Sequence, residues 1–318
     1  MYTITGGGSF TRTNIDQINS NFSELSGSAG AGSPTGLSVW VRPSYGNNNN
    51  VGTYDKPFAT LSGAARAIQP GLTIYLDGVL TEEFTAPIVN DVSIVGAANQ
   101  PRQATTSGAP NGGGATWLSP SGGTGTLLTL TGQAWKLQNL FMNNSATGST
   151  TACVNIDCVG DPPTQADASH TQILGCVFQG GNFGVYAPLG PNYVTIAGCV
   201  FSNFAGTGDT AIKAAQSVRT LLGWRLIDNV FYNNVNHVVA ALSRGTVTGN
   251  NFIVVGNTVT STIACSLTGG AANSVYGNAF NRPLNTSPNA TLYVGGTGDV
   301  WGANIGSDDF FFGVPDNS

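Results

Sequence analysis

A six-residue pattern of apolar and turn-forming positions recurs along the central part of the chain. In each copy an apolar residue is followed by any residue, by Gly or Asp, by Asn or Cys, by any residue and by Phe. Clear copies begin at Ile173, Ile196, Leu226, Val247 and Val275, and a weaker copy begins at Leu137. A short fixed motif separated by stretches of variable length is typical of a solenoid, in which each coil keeps its strands while its loops change.

The pattern also predicts how each coil is built. Its first apolar residue and its Phe face the core, and the Gly-Asn step makes a tight turn because both residues tolerate a left-handed backbone. Equivalent positions of neighbouring coils lie about 4.8 Å apart, so their side chains can form a hydrogen-bonded ladder. We expect this ladder to contain Asn139, Cys176, Cys199, Asn229, Asn250 and Asn278. The two cysteines are interpreted as stacked small apolar residues and not as metal ligands.

The stretch from Val39 to Leu76 predicts the start of the solenoid. An extended strand precedes a polar loop, a helical period over 58–68, the breaker Pro70-Gly71 and a second strand. This order resembles the N-terminal region of pectate-lyase-like β-helix proteins, in which a helix covers the open end of the first coil. The repeat and this resemblance together predict an all-β fold, a single-stranded right-handed parallel β-helix from about Leu37 to about Gly296 with a capping helix, preceded by a short N-terminal helical anchor.

Four regions follow from these patterns. They are an N-terminal anchor helix and linker (1–36), an opening strand and capping helix (37–71), the parallel β-helix (72–296) and a tail (297–318). The tail loses the motif and holds the aromatic residues Trp301, Phe310, Phe311 and Phe312. Because adjacent exposed aromatic residues would be a liability, we expect the tail to cap the last coil or to lie between subunits.

The first region predicts a short helix with a heptad seam formed by Ile15, Ile18, Phe22 and Leu25. Fewer than two heptads do not hold a coiled coil alone. The helix therefore either lies on its own body or packs against sister chains or another partner. The opening ITGGGSFTRTNIDQINSNFSEL resembles the N-terminal segments of phage structural proteins, and this resemblance implies a segment that attaches the chain to a particle.

Composition narrows the possible partners. Charged residues make up 8% of the chain, the net charge is −5, and the eleven basic residues are scattered. This argues against nucleic acid, which requires clustered Lys and Arg. No apolar run is long enough to predict a membrane span, and the N-terminus has no pattern of a secretory signal. The five cysteines fit neither a zinc site nor regular disulfide spacing.

Candidate chemistry is sparse. Proteins that share the pectate-lyase-like fold include lyases, hydrolases, tailspike glycosidases and inert rods, so the fold alone does not choose a function. Glycosidases need nearby carboxylates, and here the acidic residues are few; the adjacent pair Glu82-Glu83 and the loop residues Asp157 and Asp161 are the nearest approach. His170 and His237 are interpreted as isolated surface or turn residues. We expect no catalytic residues, no metal and no cofactor.

These observations predict a phage virion structural protein that is not an enzyme. The favoured role is a trimeric capsid decoration or cement protein, or a head spike, attached through its N-terminal segment and assembled in the host cytoplasm. The expected partners are two further copies of the chain and the major capsid protein or another virion protein. One alternative is a tailspike that recognises, or also degrades, host surface polysaccharide, with that glycan as a partner. A second alternative is a polysaccharide lyase or glycosidase.

Overall fold

Three β-sheets form the walls of one solenoid. The computed structural model describes residues 37–97, 115–123, 125–146, 148, 150–158, 167–215, 220–253, 263–281, 293–306 and 311–312. Within them the chain passes repeatedly from sheet 1 to sheet 2 to sheet 3, and each complete pass adds one strand to the edge of each sheet.

Every strand pair in the three sheets is parallel except the last pair of sheet 2. The strands of sheet 1 are β1 (Ser38–Val41), β2 (Thr73–Leu76), β5 (Ser93–Gly96), β8 (Lys136–Gln138), β11 (Gln172–Leu174), β14 (Thr195–Ala197), β18 (Arg225–Ile227), β22 (Thr246–Thr248), β25 (Ser274–Tyr276) and β28 (Val300–Gly302). The strands of sheet 2 are β3 (Val79–Thr81), β6 (Thr116–Leu118), β9 (Phe141–Asn143), β12 (Val177–Gln179), β15 (Val200–Ser202), β19 (Val230–Tyr232), β23 (Asn251–Ile253), β26 (Ala279–Asn281), β29 (Asn304–Gly306) and β30 (Phe311–Phe312). The strands of sheet 3 are β4 (Phe84–Thr85), β7 (Leu128–Leu130), β10 (Ala152–Ile156), β13 (Phe183–Ala187), β16 (Thr210–Ala214), β20 (Asn236–Ala240), β24 (Ile263–Ser266) and β27 (Tyr293–Val294). A small pair, β17 (Leu221–Leu222) and β21 (Leu242–Ser243), lies outside them. The predicted parallel β-helix is confirmed.

The core lies between the three sheets and is continuous from the first coil to the last. Inward residues of one coil pair with inward residues of the next, so that Ile173 pairs with Ile196 and Phe178 with Phe201. The motif phenylalanines stack with ring centroids 4.9 to 5.2 Å apart, in the order Phe178, Phe201, Phe231, Phe252 and Phe280. Stacking of this kind adds to the apolar area that each ring already buries.

The first coil is closed by a helix that is shorter than the sequence predicts. Helix α1 covers Leu61–Ala64 and continues as a 3₁₀ turn over Ala65–Ala67, whereas the apolar period predicted a helix over 58–68. Phe58 instead forms a bridge with Val41 at the edge of β1, and Thr60 is the N-cap, with its hydroxyl accepting a hydrogen bond from Gly63 N at 2.9 Å. Across the described residues, no helix is long and apolar enough to cross a membrane.

The solenoid extends beyond Gly296, where the prediction ended it. Strands β28 and β29 continue sheets 1 and 2, with Trp301 paired to Val275 and Ile305 paired to Ala279. The six residues 301–306 form a further copy of the motif. The copy is hard to see in the sequence because Ala303 replaces the turn Gly and Gly306 replaces the Phe. Strand β30 then pairs antiparallel with β29.

Candidate functional site

A column of buried side chains lines the corner between sheets 1 and 2. Its described members are Leu140, Cys176, Cys199, Asn229, Asn250, Asn278 and Asn304. The backbone N–H of each member from Cys199 to Asn278 donates to the side-chain oxygen of the next member, over distances of 2.9 to 3.0 Å. The side chain of one coil thereby satisfies a buried backbone group of the coil before it, which would otherwise cost free energy.

Asn250 shows how completely one amide is used. Its Oδ1 accepts from the backbone N–H and from the Nδ2 of Asn229. Its own Nδ2 donates to the carbonyl oxygens of Leu226 and Thr248 and to Oδ1 of Asn278, at 2.9 to 3.0 Å. One side chain therefore joins three consecutive coils, and it is 1% exposed.

Asn139 does not belong to this column, contrary to the prediction. Leu174 pairs with Gln138 and Val177 pairs with Phe141, which aligns Leu140 with Cys176 and Asn139 with Gly175. Met142 pairs with Phe178, so that Phe141 points away from the Phe column. The prediction aligned the weaker copy of the motif one residue out of register, because the Asn of this copy occupies the turn position and not the column position. In a strand such a shift moves a side chain to the opposite face.

The turn position of the motif has a left-handed backbone in every described copy. The residues are Asn139, Gly175, Gly198, Asp228, Gly249, Gly277 and Ala303, with φ between 52° and 66°. Asn, Asp and Gly are the residues that reach this region most easily, and Ala303 is the exception. Asp228 therefore serves the turn, as its place in the motif predicts.

The buried thiols have the environment of structural cysteines. Cys176 N donates to Cys199 Sγ at 3.4 Å, and burial raises the pKa of Cys199. Burial also raises the pKa of Cys153 and of Cys265 to about 12. None of the five cysteines, all of which lie within the described ranges, forms a disulfide, and neutral buried thiols are poor nucleophiles and poor metal ligands. No three His, Cys, Asp or Glu side chains of the described residues could hold a metal ion together.

Glu82 and Glu83 are each bonded to a different backbone segment. The Glu82 carboxylate accepts from Leu61 N and from the hydroxyl of Ser62 at 2.8 Å, at the N-terminus of α1. The Glu83 carboxylate accepts from Gly125 N at 2.9 Å. A carboxylate that caps a helix or a loop in this way stabilises the fold.

A second pair of carboxylates surrounds Cys158. Burial raises the pKa of Asp157, which accepts from Cys158 N at 2.8 Å. Burial would also raise the pKa of Asp167, but hydrogen bonds outweigh it and lower this pKa; the largest come from the hydroxyl and backbone N–H of Ser169, and others come from Gln133 and Cys158. The pKa of Asp157 is therefore raised by burial, whereas the pKa of Asp167 is lowered by its hydrogen bonds. Asp161 lies outside the described residues.

The two histidines differ in their surroundings. His170 is exposed at a left-handed corner and stacks on Tyr193, as expected of a turn residue. His237, in contrast, is fully buried between the rings of Phe231 and Phe252, so its interpretation as a surface residue was wrong. Burial lowers its pKa to about 3. Its Nδ1 pairs with Asn234 Nδ2 at 3.0 Å, and its Nε2 has no partner among the described residues.

The predicted interface residues are only partly described. Trp301 is 6% exposed and lies in the core of the last coil, which places it inside the rod. Phe311 and Phe312 form β30, and Phe310 lies outside the described residues. The anchor residues Ile15, Ile18, Phe22 and Leu25 also lie outside them.

An aromatic cluster that the sequence reading missed lies at the N-terminal end of sheet 1. The Arg42 guanidinium lies over the rings of Tyr54, Tyr45 and Trp40, at 4.1, 4.9 and 5.5 Å from their centroids. Its Nε also donates to the Asp77 carboxylate at 2.7 Å. Trp40 stacks on Tyr75 and meets the edge of Tyr54, with both centroid distances 4.9 Å. Tyr45 and Tyr54 are 54% and 53% exposed. We call these six residues the aromatic platform.

Comparison with known proteins finds similar folds only. No family model and no curated protein matches the chain. Among solved structures, a GH136 lacto-N-biosidase from Eubacterium ramulus is 12% identical, with 92% of this chain and 70% of that chain covered and a TM-score of 0.36. Pectate lyase Pel9A is 13% identical over 84% and 78% of the two chains, with a TM-score of 0.42. ORF18 of Geobacillus virus E2 is 11% identical over 96% and 66%, with a TM-score of 0.43. At these identities and TM-scores the likeness assigns no function to this chain.

Strand alternation is the one signal in the sequence that could have predicted the aromatic platform. Trp40, Arg42 and Tyr54 are close in the chain, but Tyr75 and Asp77 come from the next coil, and parallel pairing of β1 with β2 brings them together. Trp40 pairs with Tyr75 in that register. Alternation along both strands could therefore have placed the two rings on the same outer face.

Proposed function

We propose that this chain is a structural rod of a phage particle, attached through its N-terminal segment, and that it acts without catalysis. The observation that carries the proposal is how the acidic side chains are used. Glu82, Glu83 and Asp167 each hold a backbone segment, Asp77 pairs with Arg42, and Asp228 forms a turn. A glycosidase needs two carboxylates facing one bond, whereas the carboxylates of Glu82, Glu83, Asp167 and Asp77 are held by contacts within the fold.

The assignment to a particle rests on the first region of the sequence. The segment ITGGGSFTRTNIDQINSNFSEL resembles the N-terminal segments of phage structural proteins, and its heptad seam suits attachment to sister chains or to a capsid. A rod with one continuous core and few charges suits a part that projects from a surface and resists unfolding. A capsid decoration protein, cement protein or head spike fits these features best.

A trimer is part of the proposal. Three copies would bring the seam formed by Ile15, Ile18, Phe22 and Leu25 around one axis. At the other end of the rod, Val300 and Ile305 are 69% and 64% exposed. Exposed apolar residues at one end of a solenoid suit contacts between subunits. Analytical ultracentrifugation of the whole chain should give the mass of three copies; a monomer at micromolar concentration would contradict this part.

The experiment that tests the proposal is location on intact particles. Quantitative mass spectrometry and labelling with an antibody to the rod should place many copies on the capsid. Deleting residues 1–36 should abolish incorporation and leave the circular dichroism spectrum of the β-helix unchanged. A few copies confined to the tail would favour the tailspike alternative, and absence from the particle would overturn the proposal. Release of reducing ends from a host surface glycan, lost in a double variant of Glu82 and Glu83, would overturn the non-catalytic part.

A further inference from the structure

The aromatic platform is built on a rigid part of the chain. The loop over 43–60 covers the free edge of β1, because Trp40 N donates to Gly52 O and Phe58 N donates to Trp40 O, at 2.7 and 2.9 Å. Within the loop, Asn48 Oδ1 accepts from the backbone N–H of Ala59 and Thr60. The rings of Tyr45 and Tyr54 therefore project from a segment whose backbone is already fixed. A fixed surface loses little entropy when it binds a ligand.

Arg42 organises the platform and has little capacity left for a ligand. Its two terminal nitrogens donate to the hydroxyls of Tyr45 and Tyr54, to the carbonyl of Tyr54 and to Asp77, and its Nε donates to Asp77 as well. A guanidinium has five N–H donors, and these contacts use all of them. Arg42 is thus a positioning residue that holds two exposed rings and one carboxylate in place.

The groups that remain open have a particular chemistry. The rings of Tyr45 and Tyr54 offer apolar surface, and their hydroxyls can still donate a hydrogen bond each. Both Arg42 contacts fall on Oδ2 of Asp77, so Oδ1 accepts no hydrogen bond from the described residues, and the Asp77 side chain is 38% exposed. The ion pair of Arg42 and Asp77 carries no net charge. The open surface thus combines apolar faces with hydroxyl donors and a carboxylate acceptor at their edges.

We propose that the aromatic platform binds a neutral carbohydrate. A sugar ring presents C–H groups on its face and hydroxyls around its rim, which matches aromatic faces bordered by polar groups. Tyr and Trp give large contact areas with few rotatable bonds. The inference does not rest on the proposed function, because a purified rod binds or fails to bind a sugar wherever it is located.

Two other ligand classes fit the platform less well. Single-stranded nucleic acid also stacks on aromatic rings, but it requires a positively charged groove beside them, and the only cation among the six residues is neutralised by Asp77. A protein partner needs about 800 Å² on each side, or about 20–30 residues. The platform consists of four rings and one ion pair, which suits a small ligand.

The chain carries its own reporter for the test. Of its five tryptophans, Trp117, Trp135 and Trp224 are fully buried and Trp301 is 6% exposed, whereas Trp40 is half-buried within the platform. Short oligosaccharides of α-glucan, β-glucan, mannan and galactan are titrated into the full chain, to about 10 mM, because a Kd of about 1 mM still reports a specific complex. We expect at least one to shift the emission saturably and to reduce quenching of Trp40 by acrylamide.

Variants then locate the site. Tyr54→Ala should weaken binding of that oligosaccharide about tenfold or more, and Tyr54→Phe, which keeps the ring, by about threefold or less. The matched control is Tyr276→Ala. Tyr276 is 48% exposed and has the same register as Tyr75 on the outer face of sheet 1, near its other end. Its replacement should leave the affinity unchanged. An unaltered urea midpoint for each variant shows that the fold is intact.

Arg42→Lys tests the positioning role. Lysine keeps the charge but has no planar fork, so the affinity should fall about as much as in Tyr54→Ala. Acrylamide should also quench Trp40 more strongly in this variant without any sugar. The proposal is overturned if no oligosaccharide of the panel changes the emission or shows heat by calorimetry. It is equally overturned if Tyr276→Ala weakens binding as much as Tyr54→Ala, or if a single-stranded oligonucleotide binds and the sugars do not.

Discussion

The corner column differs between its two ends. Its first described members are Leu140, Cys176 and Cys199, and its later members are four asparagines that run to Asn304. Both ends use the same left-handed turn. At the first end, Cys176 N reaches only a sulfur atom at 3.4 Å, whereas at the second the N–H groups of Asn229, Asn250 and Asn278 each reach an amide oxygen at 2.9 to 3.0 Å. The turn therefore does not require Asn, but the buried N–H group beside it requires an acceptor.

The largest effect is expected at the asparagine end of the column, which runs from Asn229 to Asn304. Asn250→Asp replaces an amide whose two N–H groups are shared among three oxygens by a group with no donor, so a buried carboxylate would face those oxygens. We expect the free energy of unfolding to fall by about 3–5 kcal/mol, as for other buried unpaired charges. Urea unfolding followed by circular dichroism measures this.

Asn139→Gly is the matched control for that variant. Asn139 occupies the turn position, with φ of 56°, and glycine adopts this backbone without strain. The change should alter stability by less than about 0.5 kcal/mol. Equal losses in the two variants would mean that the column has been assigned to the wrong residues.

His237 makes the asparagine end sensitive to acid. Its pKa of about 3 in the fold lies below the ordinary value of 6.5, so the unfolded chain takes up a proton first. The free energy of unfolding is therefore unaffected by His237 above pH 6.5. It falls as the pH is lowered towards 3, by up to about 1.4 kcal/mol for each pH unit, because the unfolded chain binds a proton that the folded chain does not. Unfolding of His237→Leu should depend less steeply on pH than that of the unmodified chain over this interval. Identical slopes would contradict the assignment.

Gly249→Ala tests the turn that the two ends share. A Cβ at Gly249 would meet Asp228 Oδ1 at 2.0 Å, and the backbone has φ of 66°. We expect a loss of about 1–2 kcal/mol in the free energy of unfolding. Asp228→Gly should be close to neutral, because glycine adopts the left-handed backbone of this position without strain. If Gly249→Ala is also neutral, the contact at this corner is looser than described.

The smallest effect would extend the asparagine end by one coil. Cys199 Sγ lies 3.5 and 3.4 Å from the carbonyl oxygens of Ile173 and Ala197, which are the contacts that an Asn amide makes at the equivalent place in later coils. Cys199→Asn should therefore stabilise the fold by about 1 kcal/mol, whereas Cys199→Ala should destabilise it by a similar amount. A Cys199→Asn variant less stable than Cys199→Ala would show that the amide does not fit there.

The fold was predictable because one motif reports both the turn and the core. The Phe at its end marks an inward position, and the Gly or Asp marks the left-handed turn, so five copies gave the register directly. Prediction was wrong where other residues serve the same roles, as with Asn139 in the turn, and incomplete where Ala303 and Gly306 hid the last copy. The burial of His237 could not be read from its neighbours, because strand alternation alone does not say which face is inside.

Hydrogen exchange measured by NMR tests the column most directly. The backbone amides of Cys199, Asn229, Asn250 and Asn278 donate to side chains, so they have no sheet partner to protect them. We predict that they exchange only through global unfolding, as slowly as core strand amides. In Asn250→Ala, the Asn229 amide should lose protection before its neighbours do. If these four amides exchange as fast as the amide of the exposed turn residue Gly298, the claim that the ladder joins the coils is contradicted.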